Sequence, residues 1–325
     1  MLQRLVASRV VRWSYVVLAL TLAGYALVQY WDDASRAVLE LELWTVAAAL
    51  AAVIIGIGCS MLAWRRILTD LGSSLPFGPA ARVFSLSQLG KYVPGSIWPF
   101  VAQVELGREH GVPRTRSAAA GLLTVAISLV TLLLLAAATL PFAAADAARG
   151  YWWALAAVPF LVGLLHPAIL SPMLDRALRL ARRGPLEHPL TGHGIGGTVG
   201  WSTLAGLCFG AHVWLLGRDL APAASDGPSF LACVGAYALA WCIGFLVVFA
   251  PAGAGVREVV LAAALSSALG TGQVVVLVIA SRLLVTVGDL LWAGAGVLLA
   301  RRHAARAPGE IDEALALRRA IEADT

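Results

Sequence analysis

The sequence predicts an all-α polytopic membrane protein with about eight transmembrane helices and one re-entrant segment. The first observation is composition: 59% of the 325 residues are hydrophobic and 13% are charged, whereas a soluble domain carries about a quarter charged residues. The second is that apolar runs of 18 or more residues recur along the chain, the length that crosses a bilayer as a helix. These runs lack the alternating pattern of barrel strands, which argues against an outer-membrane barrel.

The third observation is the order of spans and loops. Tryptophans such as Trp44 and Trp64 mark the ends of the apolar runs, as interfacial aromatic residues do. We expect spans at roughly 13–30, 44–64, 117–140, 152–171, 196–216, 229–250, 255–270 and 273–299.

Arginines are concentrated in alternate loops. They cluster after the second span and after the fourth, and again at the C-terminal end, whereas the loops between these positions are acidic or nearly neutral. By the positive-inside rule the arginine-rich loops face the cytoplasm. We therefore expect a multi-pass protein of the cytoplasmic (inner) membrane with both termini in the cytoplasm.

Residues 83–104 form an apolar run that does not fit this alternation. Arginines flank the run on both sides, so a full crossing would place one cluster on the wrong face of the membrane. Within it, in the stretch QLGKYVPGSIW, Pro94 and Gly95 would stop a helix. Unwound backbone at membrane depth is tolerated only where it is buried or lines a water-filled cavity. We therefore expect a re-entrant segment that enters and leaves from the cytoplasm and lines a cavity.

A second broken element is expected at about 249–270, in the stretch FAPAGAGVREVVLAAAL. Pro251, Gly253 and Gly255 interrupt this apolar run before a helix that is too short to cross the membrane comfortably. Paired interrupted segments are the best sequence pointer to the binding site of a transporter. We therefore expect both broken elements to line one central cavity.

Five charged residues lie at the predicted membrane depth, where each costs about 2.5–3.5 kcal/mol to insert. Such residues face the interior of a helix bundle, pair with each other and mark functional sites. Three are basic and two acidic, so the set suits an anionic headgroup such as phosphate. The candidates for binding the headgroup are Lys91, Tyr92, Arg257 and Arg282, and the candidates for ion pairing or gating are Glu258 and Asp289.

Structural explanations stay open for each of these charges. Lys91, the only lysine of the chain, can extend its side chain to the cytoplasmic surface, and the acidic and basic residues can form structural pairs between packed helices. Neighbouring helical residues point about 100° apart, so Arg257 and Glu258 need partners elsewhere. We expect Glu258 to contact Arg282 or Lys91, with Asp289 in the same polar cluster.

The sequence contains no recognisable catalytic or metal-binding motif. There is no HExxH spacing, and the four cysteines lie in apolar runs without CxxC spacing. We therefore predict no catalytic residues, no metal and no other cofactor. The net charge of +5 comes from arginines in loops beside the membrane and does not require nucleic acid as a partner.

Four motifs carry a resemblance to a known family. QLGKYVPGSIW, GREHGV, PAGAGVREVVL and SRLL followed by GDLL occur in this order, and together they resemble the lysylphosphatidylglycerol synthase transmembrane-region family of flippase-like membrane proteins. The resemblance implies a membrane domain for lipid translocation over residues 1–303, with 304–325 as a polar cytoplasmic tail. Relatives often carry a Glu-Arg pair in the span after the first motif, where this sequence has Thr124 as its polar candidate.

The leading functional hypothesis is a flippase for a lipid with an anionic, phosphate-bearing headgroup, such as an aminoacyl-phospholipid or a polyprenyl-phosphate-linked sugar. One alternative is a membrane-embedded transferase acting on a lipid-linked substrate, although the sequence shows no nucleophile with a positioned base. The other is a non-catalytic scaffold for a separate glycosyltransferase. The expected partners are therefore a membrane lipid and a separate synthase or glycosyltransferase.

Overall fold

The computed structural model describes residues 41–92, 97–142, 152–180, 190–221, 227–247 and 255–323. These residues form α-helices, short 3₁₀ segments and connections, with no strand among them. The predicted span 13–30 and the predicted helix breakers Pro94, Gly95, Pro251 and Gly253 lie outside the described residues.

The described ranges contain ten α-helices. They are α1 Leu43–Asp70, α2 Phe77–Gln88, α3 Trp98–Arg108, α4 Arg114–Thr139, α5 Val158–Leu164, α6 Pro167–Leu180, α7 Gly192–Asp219, α8 Phe230–Leu246, α9 Val256–Leu265 and α10 Thr271–Ala323. Four helical stretches are long and apolar enough to cross a membrane: α1, α4 with its 3₁₀ extension, α7 and the part of α10 up to residue 305. The pair α5 and α6, bent by 60°, counts as a fifth span if the two are taken together.

Local sequence signals set the beginnings of several helices. Thr191 and Ser229 accept hydrogen bonds from Gly194 N at 2.9 Å and Ala232 N at 3.2 Å, which satisfies free N–H groups at the starts of α7 and α8. Prolines stand just before α2 and α4, where the ring fixes φ without removing a helical hydrogen bond. The hydrophobic composition of the long helices then favours burial in lipid or in the bundle.

Helices α1 and α7 run antiparallel, and polar contacts join them at both ends. The Glu42 backbone N–H donates to Asp219 Oδ2 at 2.8 Å at one end, and Thr191 Oγ1 donates to Asp70 Oδ1 at 2.6 Å at the other. Gly56 lies against Phe209 midway between these contacts. Residues 42 and 219 therefore share one end of the bundle, as the predicted alternation of loops requires.

Helices α2 and α3 form a hairpin. The start of α2 and the end of α3 lie side by side and form its open end. Near the tip, a Cβ added to Gly90 would lie 2.8 Å from Pro99 N, so the chain folds back closely on itself. Near the open end, Arg82 Nη1 bonds Glu109 Oε2 at 2.8 Å. Gly78 packs against the backbone of Leu299, where an added Cβ would lie 2.7 Å from the carbonyl oxygen. The open end of this hairpin is therefore beside residue 299 of α10, and the hairpin, 77–108, is longer than the predicted 83–104.

Helices α8 and α9 form a second hairpin, which differs from the predicted spans 229–250 and 255–270. Helix α8 begins beside the end of α7, where the Phe230 and Trp214 rings lie 5.7 Å apart. The Arg257 guanidinium at the start of α9 lies 4.4 Å from the centre of the Tyr237 ring on α8, so the chain has turned back. Because α9 ends shortly before α10 begins, this hairpin opens toward the N-terminal end of α10.

The two hairpins therefore enter the bundle from opposite ends. The open end of α2 and α3 lies beside residue 299, and that of α8 and α9 lies where α10 begins. Helix α10 extends from one of these ends of the bundle to the other and continues to Ala323. The segment 304–323 therefore extends the same helix beyond its apolar part.

Candidate functional site

A cavity of about 250 Å³ lies between the hairpins and the long helices. Side chains from α1 to α4 and from α7 to α10 line its wall. Of the candidates predicted from the sequence, Lys91, Arg257, Arg282 and Asp289 lie on this wall. Charged residues from distant parts of the chain thus meet in one place.

Lys91 and Asp289 form one ion pair of the site. Lys91 lies in the 3₁₀ turn Leu89–Tyr92 at the tip of the first hairpin, and its Nζ is 2.6 Å from Asp289 Oδ2 on α10. The Tyr92 hydroxyl donates to the same carboxylate at 2.6 Å and to Thr286 Oγ1 at 3.3 Å. The Asp289 side chain is 2% exposed, so its charge is satisfied almost entirely by these two neighbours.

The headgroup-binding role of Tyr92 stays a prediction. Tyr92 is not among the described residues that line the cavity. Its hydroxyl instead holds the Asp289 carboxylate in place. Tyr92 therefore helps to orient the Asp289 carboxylate of this ion pair.

Glu258 and Arg282 form the second ion pair, between α9 and α10. The expected contact of Glu258 with Arg282 is confirmed. Adjacent Arg257 points elsewhere, and its guanidinium stacks over the Tyr237 ring at 4.4 Å from the ring centre. This divergence agrees with the 100° angle between successive helical side chains.

Gly255 explains how α9 can start at this point. Its φ of 86° lies in the left-handed region, which a residue with a Cβ enters at a cost. The helix begins with the next residue, so the backbone reversal at Gly255 sets the direction of both Arg257 and Glu258. Gly255 is the one predicted breaker that falls within the described residues.

The charges on the wall favour an anion. Lys91, Arg257 and Arg282 contribute three cations, and among the described lining residues the one carboxylate is Asp289, already bonded to Lys91. Glu258 pairs with Arg282 but is not among the residues that line this cavity. An anionic group in the cavity would therefore meet cations, in a site where water screens charges poorly.

Sequence reasoning missed an uncharged polar part of the wall. It consists of Ser60, Trp64, Ser87, Gln88, Gln103, Ser128 and Ser202, beside Thr124, which the sequence had singled out as a polar candidate. Trp64 in particular was predicted to lie at the membrane interface, but its side chain is 1% exposed and lines the cavity. Isolated serines and glutamines within apolar runs were the signal available in the sequence.

The open end of the first hairpin carries a separate set of ion pairs. Glu105 pairs with Arg108 and Arg114, and a hydrogen bond from Arg114 lowers the pKa of Glu105 below its usual range. Burial, reinforced by the Arg82 guanidinium, lowers the pKa of His110. These exposed pairs position the loop and do not reach the cavity.

No group of three or more metal-ligating side chains occurs among the described residues. The four cysteines are free thiols. His212 is fully buried and hydrogen-bonds Ser281 at 2.8 Å, and its ring packs edge-on against Phe209 and Tyr237, which line the cavity. The described part of the chain thus offers polar and cationic contacts to a ligand.

Comparison with known families finds a match over most of the chain. The family described as lysylphosphatidylglycerol synthase TM region matches residues 8–293. This range includes both hairpins and all the predicted site residues. Comparison with curated proteins finds no match.

Proposed function

Because the chain belongs to the lysylphosphatidylglycerol synthase transmembrane-region family, and is therefore a multi-pass membrane protein linked to lipid modification or transport, we propose that it is a lipid flippase. It moves a lipid with an anionic, phosphate-bearing headgroup across the cytoplasmic membrane. The observation that carries this proposal is the meeting of Lys91, Arg257 and Arg282 on one cavity wall. The headgroup occupies this cavity while the acyl or prenyl chains remain in the bilayer.

The ion pairs supply a means of binding and release. Removing one partner from a buried pair leaves an uncompensated charge, which is strongly unfavourable. Asp289 and Glu258 therefore keep Lys91 and Arg282 compensated while the cavity is empty. A phosphate that enters neutralises part of the positive charge of Lys91 and Arg282. When the lipid leaves, the carboxylates of Asp289 and Glu258 neutralise that charge again.

The two hairpins supply the proposed movement. Helices α2 and α3 are re-entrant from the cytoplasmic side, because their open end carries Arg82 and Arg108. Helices α8 and α9 are re-entrant from the opposite side. Among the described residues, one ion pair joins each hairpin to α10, so shifting one pair at a time opens the cavity to alternate faces.

The proposed arrangement has six full crossings, whereas the sequence predicted eight. The four long apolar stretches, the bent pair α5 and α6 and the predicted N-terminal span 13–30 supply them. An even number keeps both termini on the cytoplasmic side, in agreement with the arginine distribution.

Proteoliposomes test the proposed activity. Phosphatidylglycerol with a fluorophore on one acyl chain is incorporated, and dithionite is added outside to bleach the accessible label. A flippase makes the inner-leaflet label accessible to bleaching, while the mass of the lipid recovered from a parallel sample without dithionite stays unchanged.

The alternatives give different results in the same assay. A transferase supplied with a lipid-linked donor changes the mass of the lipid, and a scaffold leaves both its mass and its distribution unchanged. Either result would overturn the flippase proposal. Vesicles without protein measure spontaneous movement and leakage.

A further inference from the structure

The cavity wall has two chemically different parts. One part carries the cations Lys91, Arg257 and Arg282. The other carries uncharged polar side chains together with aromatic rings. This second part consists of Ser60, Trp64, Phe84, Ser87, Gln88, Phe100, Gln103, Thr124, Ser128 and Ser202.

One buried polar group of the uncharged part has no hydrogen-bond partner within the described chain. The Trp64 indole N–H is buried and makes no hydrogen bond to any described residue. The side-chain amides of Gln88 and Gln103 lie on the same wall, and Gln103 is 6% exposed. Buried polar groups in proteins are hydrogen-bonded with few exceptions. The unpaired Trp64 indole N–H therefore points to a ligand that supplies a hydrogen-bond acceptor such as a hydroxyl group.

The fold makes room for Gln103. A Cβ added to Gly121 on α4 would lie 2.5 Å from Gln103 Oε1, so a larger residue would push this amide out of position. Trp64, Phe84 and Phe100 add flat apolar surfaces on the same part of the wall. Amides and an indole N–H beside aromatic rings match an uncharged polyol, whose hydroxyls need hydrogen bonds and whose C–H faces pack against rings.

We propose, building on the flippase function, that the cavity selects a phosphodiester lipid whose headgroup ends in an uncharged polyol or sugar. The phosphate lies against Lys91, Arg257 and Arg282, and the hydroxyls of the headgroup bond Trp64, Gln88 and Gln103. The two parts of the wall thus recognise the two parts of one headgroup.

A cationic headgroup, such as an aminoacylated one, does not fit this wall. An ammonium group needs a carboxylate or several carbonyl oxygens. Among the described lining residues the one carboxylate is Asp289, and it already bonds Lys91 and Tyr92. The three basic side chains would repel the ammonium group of such a headgroup, because water screens charges poorly in this site.

A series of three lipids tests the selectivity. Phosphatidylinositol, phosphatidylmethanol and lysyl-phosphatidylglycerol are used with identical acyl chains, and binding to the purified full-length protein is measured by native mass spectrometry. Phosphatidylmethanol has the same phosphodiester charge as phosphatidylinositol but no hydroxyls. We expect phosphatidylinositol to bind about tenfold more tightly than phosphatidylmethanol, the effect of two added hydrogen bonds, and lysyl-phosphatidylglycerol to bind most weakly.

Variants separate the two parts of the wall. Trp64→Phe and Gln103→Leu should each lower the ratio of the affinity for phosphatidylinositol to that for phosphatidylmethanol. Lys91→Gln should weaken the binding of both lipids and preserve this ratio. Ser266→Ala, which removes an exposed hydroxyl that bonds Ala263, serves as the control. Gel filtration shows whether each variant remains monodisperse.

The outcomes distinguish this inference from the proposed function. Equal affinity for phosphatidylinositol and phosphatidylmethanol, or tighter binding of lysyl-phosphatidylglycerol, would overturn the polyol inference and leave the flippase proposal standing. Absence of binding to all three lipids would overturn both. A ratio unaffected by both Trp64→Phe and Gln103→Leu would show that the hydroxyls are recognised elsewhere.

Discussion

Lys91 Nζ lies 2.6 Å from Asp289 Oδ2, so an ion pair joins the tip of the first hairpin to the apolar part of α10. The carboxylate is 2% exposed and the lysine side chain is 26% exposed. The pair connects residues almost two hundred positions apart in the sequence. Its position between a hairpin and a long helix makes it both a structural contact and a candidate switch.

Breaking this pair should destabilise the protein more than removing it entirely. We expect Asp289→Asn to cost about 3 kcal/mol, the lower end for a broken buried pair, because Lys91 retains some access to solvent. The double variant Lys91→Gln with Asp289→Asn should cost less than the sum of the two single variants. Denaturant unfolding in micelles measures the free energy of unfolding of the wild type, the two single variants and the double variant. Additive costs of the two substitutions would contradict the pairing.

The contact between α2 and α10 depends on Gly296. A Cβ added there would lie 2.8 Å from the Ala81 backbone oxygen, whereas at Gly294 nothing lies within 4 Å. Gly296→Ala should therefore destabilise the protein by about 1–3 kcal/mol, the usual cost of overpacking, while Gly294→Ala should be neutral or slightly stabilising. Thermal unfolding of the two variants compares them directly, and equal midpoints would argue against close packing of the hairpin on α10.

Cysteine labelling tests the arrangement of the hairpins in the membrane. Ser74→Cys and Arg108→Cys lie at exposed positions flanking the first hairpin, and Ser267→Cys lies at an exposed position between α9 and α10. A membrane-impermeant maleimide should label residues 74 and 108 from the cytoplasmic side and residue 267 from the other. Wild-type protein gives the background of the native thiols. Labelling of 74 and 108 from opposite sides would make the segment between them a full crossing.

Arg257 should depend on the aromatic ring of Tyr237. The guanidinium lies 4.4 Å from the ring centre, and such contacts contribute about 0.5–2 kcal/mol. Tyr237→Leu should therefore weaken phosphatidylmethanol binding by roughly threefold to thirtyfold, and Tyr237→Phe, which keeps the ring, should weaken it less. Equal effects of the two substitutions would indicate that the ring does not position Arg257.

The charged part of the site could be predicted from sequence for a physical reason. A charge at membrane depth is costly unless it is paired or faces a polar cavity, so Lys91, Glu258, Arg282 and Asp289 were conspicuous in apolar runs. Helix geometry indicated that Glu258 needs a partner other than Arg257, and Arg282 was one of the two partners predicted. The ligand-binding roles of these residues remain predictions.

The direction of α9 and the uncharged part of the cavity could not be predicted in the same way. Hydropathy counts apolar residues but does not register a reversal of the chain, so α8 and α9 resembled two spans. Serine and threonine are inexpensive in apolar helices because they bond their own backbone, as Ser60 and Thr124 do here. Trp64 matched the pattern of an interfacial tryptophan, and only the packing of α1 against its neighbours places it on the cavity wall.

The measurement that tests the central claim most directly is lipid movement in proteoliposomes by variants of the cavity cations. Lys91→Ala and Arg282→Ala should each reduce the rate of phosphatidylglycerol movement by at least about tenfold, since a charge-assisted hydrogen bond to the headgroup contributes about 1.5–3 kcal/mol. Arg108→Ala removes the same charge from a side chain that is 62% exposed outside the cavity, and it should leave the rate within about twofold of wild type, as expected for exposed charges. Near-normal rates for both Lys91→Ala and Arg282→Ala, in protein that is inserted and monodisperse, would contradict the account.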